Sequence, residues 1–378
     1  MKSTEQAAKI RVGLVGVGHW GRYGHVPVLQ SLPAYEIVAV SSRRREQAEA
    51  LAGSLGARLA FDDANRLAEH PEVDLVVVLP PAPEHAAIVR AAIGAGKDVY
   101  SEWPLTTSTA DSEALLAMAE AAGVRHVVGL QRRLGPSARF VRDPLAEGYV
   151  GAIRSVRLHV SMNYFQERRS TALAWTVDAA NFSHILSIYG GHFLDLLFGL
   201  VGPPDSLSAV VRNQFPTLTL IETGETFANT TPDEVAIVGT LAGGAVFLAQ
   251  IEGGKRNNSG LQIDITGTAG DLKISNPDSF GNKADNLVEG SQADGDRLHR
   301  LPVPAPYRTL PPSPLDASVL DLAYLYDAHA RDRATGTTLA SNFRDAVRIH
   351  RLLDAIVEAS ESLSPKGNIG SASVVVGG

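Results

Sequence analysis

The stretch Ile10-Arg11-Val12-Gly13-Leu14-Val15-Gly16-Val17-Gly18-His19-Trp20-Gly21 decides how the rest of the chain is read. A short apolar run enters a Gly16-x-Gly18-x-x-Gly21 turn. In a strand–turn–helix unit the first glycine permits the tight turn and the second removes a side chain that would block a pyrophosphate. The third lets the helix sit close on the strand. The helix start then offers free N–H groups and the positive end of its dipole to the anion. A second apolar run, Glu36-Ile37-Val38-Ala39-Val40, follows at the βαβ distance. The turn therefore reads as dinucleotide-binding, with Gly16, Gly18, His19, Trp20 and Gly21 as its contacts.

Outward from this turn, strand-type runs at 10–15, 36–41, 58–60, 74–79, 98–101 and 125–129 alternate with helical text such as 45–55 and 84–95. That alternation predicts an α/β fold, a Rossmann domain with a doubly wound parallel sheet over 10–130. After residue 130 the pattern changes. Polar and apolar residues alternate through 153–161, and further strands are expected at 207–213, 234–241, 245–252 and 261–266. Gly243-Gly244 and Gly267-Thr268-Ala269-Gly270 are turn signals between them. Residues 131–366 thus predict a second α/β domain with an open, mostly antiparallel sheet, a substrate and oligomerisation domain. Helices are expected near 314–332 and 342–361, a long loop over 281–313, a disordered N-terminus over 1–9 and a flexible tail over 367–378.

Composition narrows the function classes. The 378 residues are 44% hydrophobic and 20% charged, with net charge −7. No basic stripe is available for a nucleic acid, and Arg43-Arg44-Arg45 is the densest basic cluster. The absence of cysteine removes disulfides and thiolate chemistry. No secretory h-region and no membrane-spanning run is read, so the expected location is cytoplasmic. No metal site is expected, since His184 and His192 lack ligand spacing.

In this kind of fold an acidic residue at the end of the second strand usually binds the adenine ribose. Here the position reads Val40-Ser41-Ser42-Arg43-Arg44, with no carboxylate. Ser41, Ser42 and Arg43 suit a 2′-phosphate, which favours NADP, with NAD the other candidate.

Further motifs complete a set: Val76-Val-Val-Leu-Pro80 with His85 after it, Glu102-Trp103-Pro104-Leu105, Gln131-Arg132-Arg133, Gly190-Gly191-His192 with Asp195, and Gly267 to Leu272. On these motifs the chain resembles the Gfo/Idh/MocA oxidoreductases over nearly its whole length. The resemblance implies hydride transfer between a nicotinamide cofactor and a sugar, polyol or related carbonyl or hydroxyl compound. It also implies a homodimer or homotetramer built on the open sheet. Pro80, His85, Glu102, Trp103 and Gln131 are then implied around the cofactor, and Trp103, Arg132, His192 and Asp195 around the substrate.

Two positions depart from the family pattern. The segment is normally Glu-Lys-Pro, with the lysine moving the substrate proton, and Trp103 cannot titrate. An aspartate usually stands four residues before the histidine, where this chain has Ile188. A tryptophan in this motif is similar to the Gal80-type branch of sugar-pathway repressors. The alternative function is therefore a non-catalytic dinucleotide-binding regulator with a protein partner. As an enzyme, the chain would rely on His192 for acid–base work, oriented by Asp195 one turn on. Tyr164 and Tyr189 are candidate replacement proton donors if a nearby cation lowers a phenol pKa, and Lys255 could restore the missing charge. Trp103 either stacks on a nicotinamide or sugar face, or fills the space left by the lysine.

Overall fold

In the computed structural model the residues described are 8–257, 260–280, 284–292, 294–295 and 297–362. The expected tail at 367–378 and all but the last two residues of the expected N-terminal segment 1–9 lie outside them. Six parallel strands form the first sheet: β1 (Ile10–Val15), β2 (Tyr35–Ser41), β3 (Leu59–Phe61), β4 (Leu75–Val78), β5 (Asp98–Ser101) and β6 (His126–Val128). Their order is β3-β2-β1-β4-β5-β6. The order reverses between β1 and β4, so a crevice opens at the carboxyl ends of those two strands, where open α/β sheets bind ligands. The continuous apolar run of β4 explains the parallel sheet: Leu75, Val76, Val77 and Val78 are all fully buried, with helices on both faces.

The second sheet has eight strands. From one edge to the other they are His299–Arg300, Leu287–Ser291, Asp271–Asn276, Leu261–Gly267, Ile153–Ser161, Val246–Glu252, Glu234–Leu241 and Pro204–Arg212. Every neighbouring pair is antiparallel except Ile153–Ser161 with Val246–Glu252, which run parallel. One face carries Val156, Leu158, Ile237, Phe247, Ile251, Ile263 and Ile265 into the core. The other face is open, with Val210, Val238, Val246 and Leu248 exposed among polar neighbours.

Several elements differ from the sequence reading. The expected loop 281–313 contains the two outer strands Leu287–Ser291 and His299–Arg300. They are short strands near one edge: Leu287–Ser291 pairs with Asp271–Asn276 and His299–Arg300 with Leu287–Ser291, and that pairing supplies what their own pattern does not. A small sheet of Arg168–Arg169, Thr217–Leu220 and Thr226–Ala228 also went unread, because two- to four-residue strands leave no periodicity. The stretch Ala179–Val201 is long and apolar enough to cross a membrane by composition, against the expectation that no such run exists. It is folded here as short turns and a helix, and 78% of its most apolar 18-residue window is buried inside the protein.

The C-terminal helices close the structure onto the first domain. Helix Ala317–Thr335, which the sequence places in the second domain, packs Val319, Leu322, Leu325 and Tyr326 into the core that holds Ile10, Val12 and Leu14. The Tyr35 hydroxyl donates to the Tyr326 carbonyl at 2.7 Å, and Arg333 pairs with Asp98. Helix Phe343–Ser362 then lies between the two domains, taking the backbone N–H of Phe343 to His126 and the Ser360 hydroxyl to the N–H of Val211.

Candidate active site

The crevice beside the glycine turn has a volume of about 780 Å³. Gly16, Gly18, Ser41, Ser42, Arg43 and Pro80 line it, as do Arg44 and Gln47, which the sequence reading did not single out. Each glycine has a separate reason. Gly16 sits at φ +73°, and a Cβ there would lie 2.6 Å from Pro80 Cγ. A Cβ on Gly18 would meet nothing within 4 Å, so the empty side is the side open to a ligand. A Cβ on Gly21 would touch Val17 at 3.0 Å and Leu79 at 3.1 Å, the close helix–strand approach. Arg45 is paired with Glu49 at 2.6 Å, which leaves Arg43 and Arg44 without an ion pair among the described residues. The open cradle at Gly18 and the free arginine rim fit the phosphates of a dinucleotide. His19 is exposed at the helix start and stacks on Tyr23 at 5.9 Å.

The helix after the turn opens into a π-helical turn over Gly21–His25, a local widening common at functional sites. It points the buried His25 at Glu102. Glu102 Oε1 lies 2.7 Å from His25 Nε2, 2.8 Å from the Tyr100 hydroxyl and 3.3 Å from Trp20 Nε1. Burial alone would raise the Glu102 pKa, but the hydrogen bonds from His25 and Tyr100 hold it below the ordinary carboxylate value. An ionised carboxylate only accepts, so Nε2 of His25 carries the hydrogen, and Nδ1 faces the Tyr326 hydroxyl at 2.7 Å. Sequence reading missed His25, Tyr100 and Tyr326; a histidine at position 25 inside an otherwise apolar helix face was the available signal.

The next residue is turned the other way. Trp103 is 5% exposed, donates from Nε1 to the Ser187 carbonyl at 2.8 Å and lies against Gly191, where any Cβ would collide with its indole. It therefore fills space between the domains and presents no stacking face, which corrects the stacking reading. The peptide to Pro104 is cis. His85 is buried between the carbonyls of Pro104, at 2.8 Å, and Pro80, at 2.6 Å, so it ties the two strand ends together. Burial lowers its pKa.

In the second domain a π-helical turn, Ile185–Gly190, leads into helix Gly191–Val201, lies against Trp103 and delivers Tyr189 and His192. Both surround Phe280, with Tyr189 at 4.8 Å and His192 at 5.6 Å between ring centres. The Arg132 guanidinium lies over the same ring at 4.5 Å. Arg132 bonds Asp321 at 3.0 Å and the Phe280 carbonyl at 2.6 Å. Three buried atoms here lack any partner in the structure: Gln131 Oε1, Arg132 Nε and His192 Nδ1. The Tyr189 hydroxyl also makes no hydrogen bond among the described residues.

The electrostatics overturn two expectations. Burial raises the Tyr189 pKa well above its usual value, and Arg132 opposes that only weakly, so the phenol is not activated by a cation. Asp195 does not orient His192. Its carboxylate is buried against Arg348 at 2.8 Å and Arg133 at 3.5 Å, an inter-helix ion pair rather than a substrate contact. Burial, reinforced by Arg132, lowers His192 to about 4, so the ring is neutral near pH 7. Tyr164 is 49% exposed on the loop beside this group. Lys255 pairs with Glu252 at 3.2 Å beside His159 and restores no charge at this site.

The profile of an oxidoreductase family with an NAD-binding Rossmann fold matches residues 10–130, and that of the Gal80p C-terminal domain matches residues 136–276. A dehydrogenase of Aspergillus oryzae, aclE, is 33% identical over 284 residues, 71% of this chain and 77% of that protein. The chain belongs to the Gfo/Idh/MocA oxidoreductase family. The galactose/lactose metabolism regulatory protein GAL80 of Kluyveromyces lactis is 27% identical over 304 residues, covering 74% of this chain and 66% of that one. Levoglucosan dehydrogenase, solved with NADH and levoglucosan, superposes with a TM-score of 0.82 at 21% identity over 94% of this chain and 98% of that one. The NAD-binding Rossmann match spans the glycine turn and the whole of the crevice beside it.

Two measurements check this geometry. Gly18→Ala should fold with near-wild-type thermal stability and lose cofactor binding, whereas Gly16→Ala should lower the melting temperature as well, since its Cβ meets Pro80. The second concerns acid. His184, His192 and His350 are each lowered to about 4 by burial, and His350 has neither ring nitrogen partnered, held between Trp103 and Phe182. The unfolded chain protonates these rings below about pH 6.5. It therefore binds more protons than the folded chain there, and stability falls as pH drops from about 6.5 toward 4, by about 3 kcal/mol per histidine. His350→Phe should recover about one such share between pH 7 and pH 4, read by thermal unfolding. An unchanged pH slope would refute it.

Proposed function

We propose that the protein is an active NAD(P)-dependent oxidoreductase acting on a CH–OH or C=O carbon. The observation that carries this reading is the set of buried polar atoms without partners, Gln131 Oε1, Arg132 Nε and His192 Nδ1, the last two on residues that contact Phe280. Buried polar atoms without partners are costly, about 1–3 kcal/mol each, unless a ligand completes them. The cofactor would supply or accept hydride at the nicotinamide ring. In the oxidative direction neutral His192 accepts the hydroxyl proton while the Tyr189 O–H donates a hydrogen bond to the same oxygen. Glu102, fixed by His25 and Tyr100, holds the turn beneath the ring. Loss of the family lysine leaves His192 as the principal acid–base group, and its low pKa makes the unprotonated, proton-accepting form the one present at neutral pH.

The cofactor reading within this proposal is NADP. Arg43 and Arg44 stand free at the rim beside Ser42, placed for a 2′-phosphate. We also propose that a second copy covers the open sheet face, where Val238 lies opposite Leu248 in register and both are exposed. A non-catalytic regulator remains the second reading, favoured by the buried Trp103 in the place of a catalytic lysine.

Stopped-flow measurement of nicotinamide absorbance against a panel of alcohols, sugars and ketones tests the first reading. His192→Ala should slow hydride transfer about 10²–10⁴-fold with cofactor affinity unchanged. Cofactor binding with no transfer to or from any member of the panel would favour the regulator instead. Replacing Arg43 and Arg44 together by alanine should weaken NADPH at least about 10-fold and leave NADH nearly unchanged, measured by cofactor fluorescence.

A further inference from the structure

We propose that Glu102 sets the redox form in which the cofactor is held. Its uncompensated carboxylate favours the oxidised, positively charged nicotinamide over the neutral reduced ring, and His25 and Tyr326 are the positioning residues that keep that charge in place. This rests on the nicotinamide cofactor of the reading above and adds a redox preference to it.

The charge of Glu102 has no counter-ion. Among the described residues no lysine or arginine pairs with it, and its one ion-pair contact is His25. The hydrogen bonds of that imidazole show it to be neutral. Tyr326 is fully buried, and the only hydrogen-bond partner of its hydroxyl among the described residues is His25 Nδ1, at 2.7 Å. A buried O–H needs an acceptor, so Nδ1 carries no hydrogen. The single ring hydrogen is then on Nε2, donated to Glu102 at 2.7 Å. Tyr100 adds a second neutral donor at 2.8 Å and Trp20 a third at 3.3 Å. These donors keep the carboxylate ionised without cancelling its charge. The next residue, where the family pattern has a lysine, is Trp103, so no cation is supplied there either.

All three donors go to Oε1. Oε2 accepts from none of the described residues, and 15% of the side chain stays exposed. The segment stands beside the cofactor crevice. The Glu102 N–H bonds the Val78 carbonyl at 3.1 Å at the end of β4, and the next two residues, Leu79 and Pro80, line the crevice. His85 ties the Pro80 and Pro104 carbonyls together at the same place. A dinucleotide lies across the point where the strand order reverses. With one end over β2, at Ser42 and Arg43, its other end lies toward β4 and β5, where Glu102 follows Ser101. The field of the carboxylate is felt beyond its own network, since it acts on His192, opposing the burial and the Arg132 charge that lower that ring. At the effective dielectric of such a site, a unit charge within several ångströms changes the affinity of a pyridinium ring by about 10-fold or more, and that of an uncharged dihydropyridine far less.

The test uses the full-length protein and both redox forms of the cofactor. NADPH affinity is read by its fluorescence and NADP⁺ affinity by competition, with NADH and NAD⁺ measured in parallel. Glu102→Gln keeps an acceptor for His25 and Tyr100 and removes the charge. It should weaken the oxidised form at least 10-fold relative to the reduced form, which raises the midpoint potential of the bound two-electron couple by at least about 30 mV. A purely structural role would weaken both forms alike. Because the change falls in a buried network, Tyr326→Phe is the second variant. It leaves Nδ1 of His25 without its donor and free to take a second hydrogen, so that a cationic imidazole cancels the carboxylate. The preference for the oxidised form should fall in the same direction. Thermal unfolding establishes that each variant is folded. An unchanged ratio of the two affinities in folded Glu102→Gln, or in Tyr326→Phe where Glu102→Gln does not fold, overturns the inference. Hydride transfer with that unchanged ratio would defeat this inference and sustain the oxidoreductase reading. A shifted ratio without hydride transfer to or from any alcohol, sugar or ketone would sustain this inference and defeat that reading. Binding of neither redox form to the wild-type protein would overturn both.

Discussion

The carboxylate of Glu102 is the point on which the rest of the arrangement depends. A buried charge is tolerated only when hydrogen-bonded donors replace the water it has lost. Here the donors come from separate parts of the chain: Trp20 and His25 from the helix after the glycine turn and Tyr100 from the end of β5. Tyr326, from a helix more than two hundred residues later, holds the far side of His25. The glycine turn, the Glu102–Pro104 segment and the C-terminal helix are thereby set relative to one another by one ionised group. The π-helical turn at Gly21–His25 follows from the same need, since it brings His25 round to the carboxylate.

The neighbouring residue shows how one substitution redistributes a site. A lysine in place of Trp103 would need an anionic partner or water. The indole instead donates once, to the Ser187 carbonyl, and packs against Gly191 and His350. The space between the domains becomes apolar, and the histidines within it, His184, His192 and His350, are driven toward their neutral forms. The histidine and the phenol that face each other around Phe280 are both held neutral by burial. The rings of Tyr189 and His192 and the buried guanidinium of Arg132 gather around Phe280. The ion pairs of Asp195 with Arg133 and Arg348 belong to the same redistribution: a family acid stays in place but serves the contact between two helices.

Much of the first domain was legible because its signals are local. Glycines at 16, 18 and 21 act through their own φ angle, an open side or a close strand, and Leu75 to Val78 is buried on both faces, so each leaves a mark within a few residues. The alternation in 153–161 and the Gly243-Gly244 turn likewise exposed the core of the second sheet. Leu287–Ser291 was not legible, because a five-residue strand takes its conformation from the two neighbours it pairs with. Among site residues, Gly16, Gly18, Ser42, Arg43 and Pro80 do line one crevice, as their spacing implied. The misreadings fell on charges and protons. Asp195 stands one helical turn from His192, yet its partners are arginines 62 and 153 residues away.

By itself the sequence determined the fold class, the dinucleotide turn, the lack of an acidic ribose ligand and the loss of a titratable group at Trp103, since each is a property of short segments and of residue type. Tertiary structure alone decided the partners of Glu102, the burial of Trp103, the diversion of Asp195 and the neutral state of His192. The physical reason is that desolvation and ion pairing depend on which distant side chains meet in space. A chain shows its backbone preferences locally, while its protonation states emerge only when helix Ala317–Thr335 and helix Phe343–Ser362 close over the site.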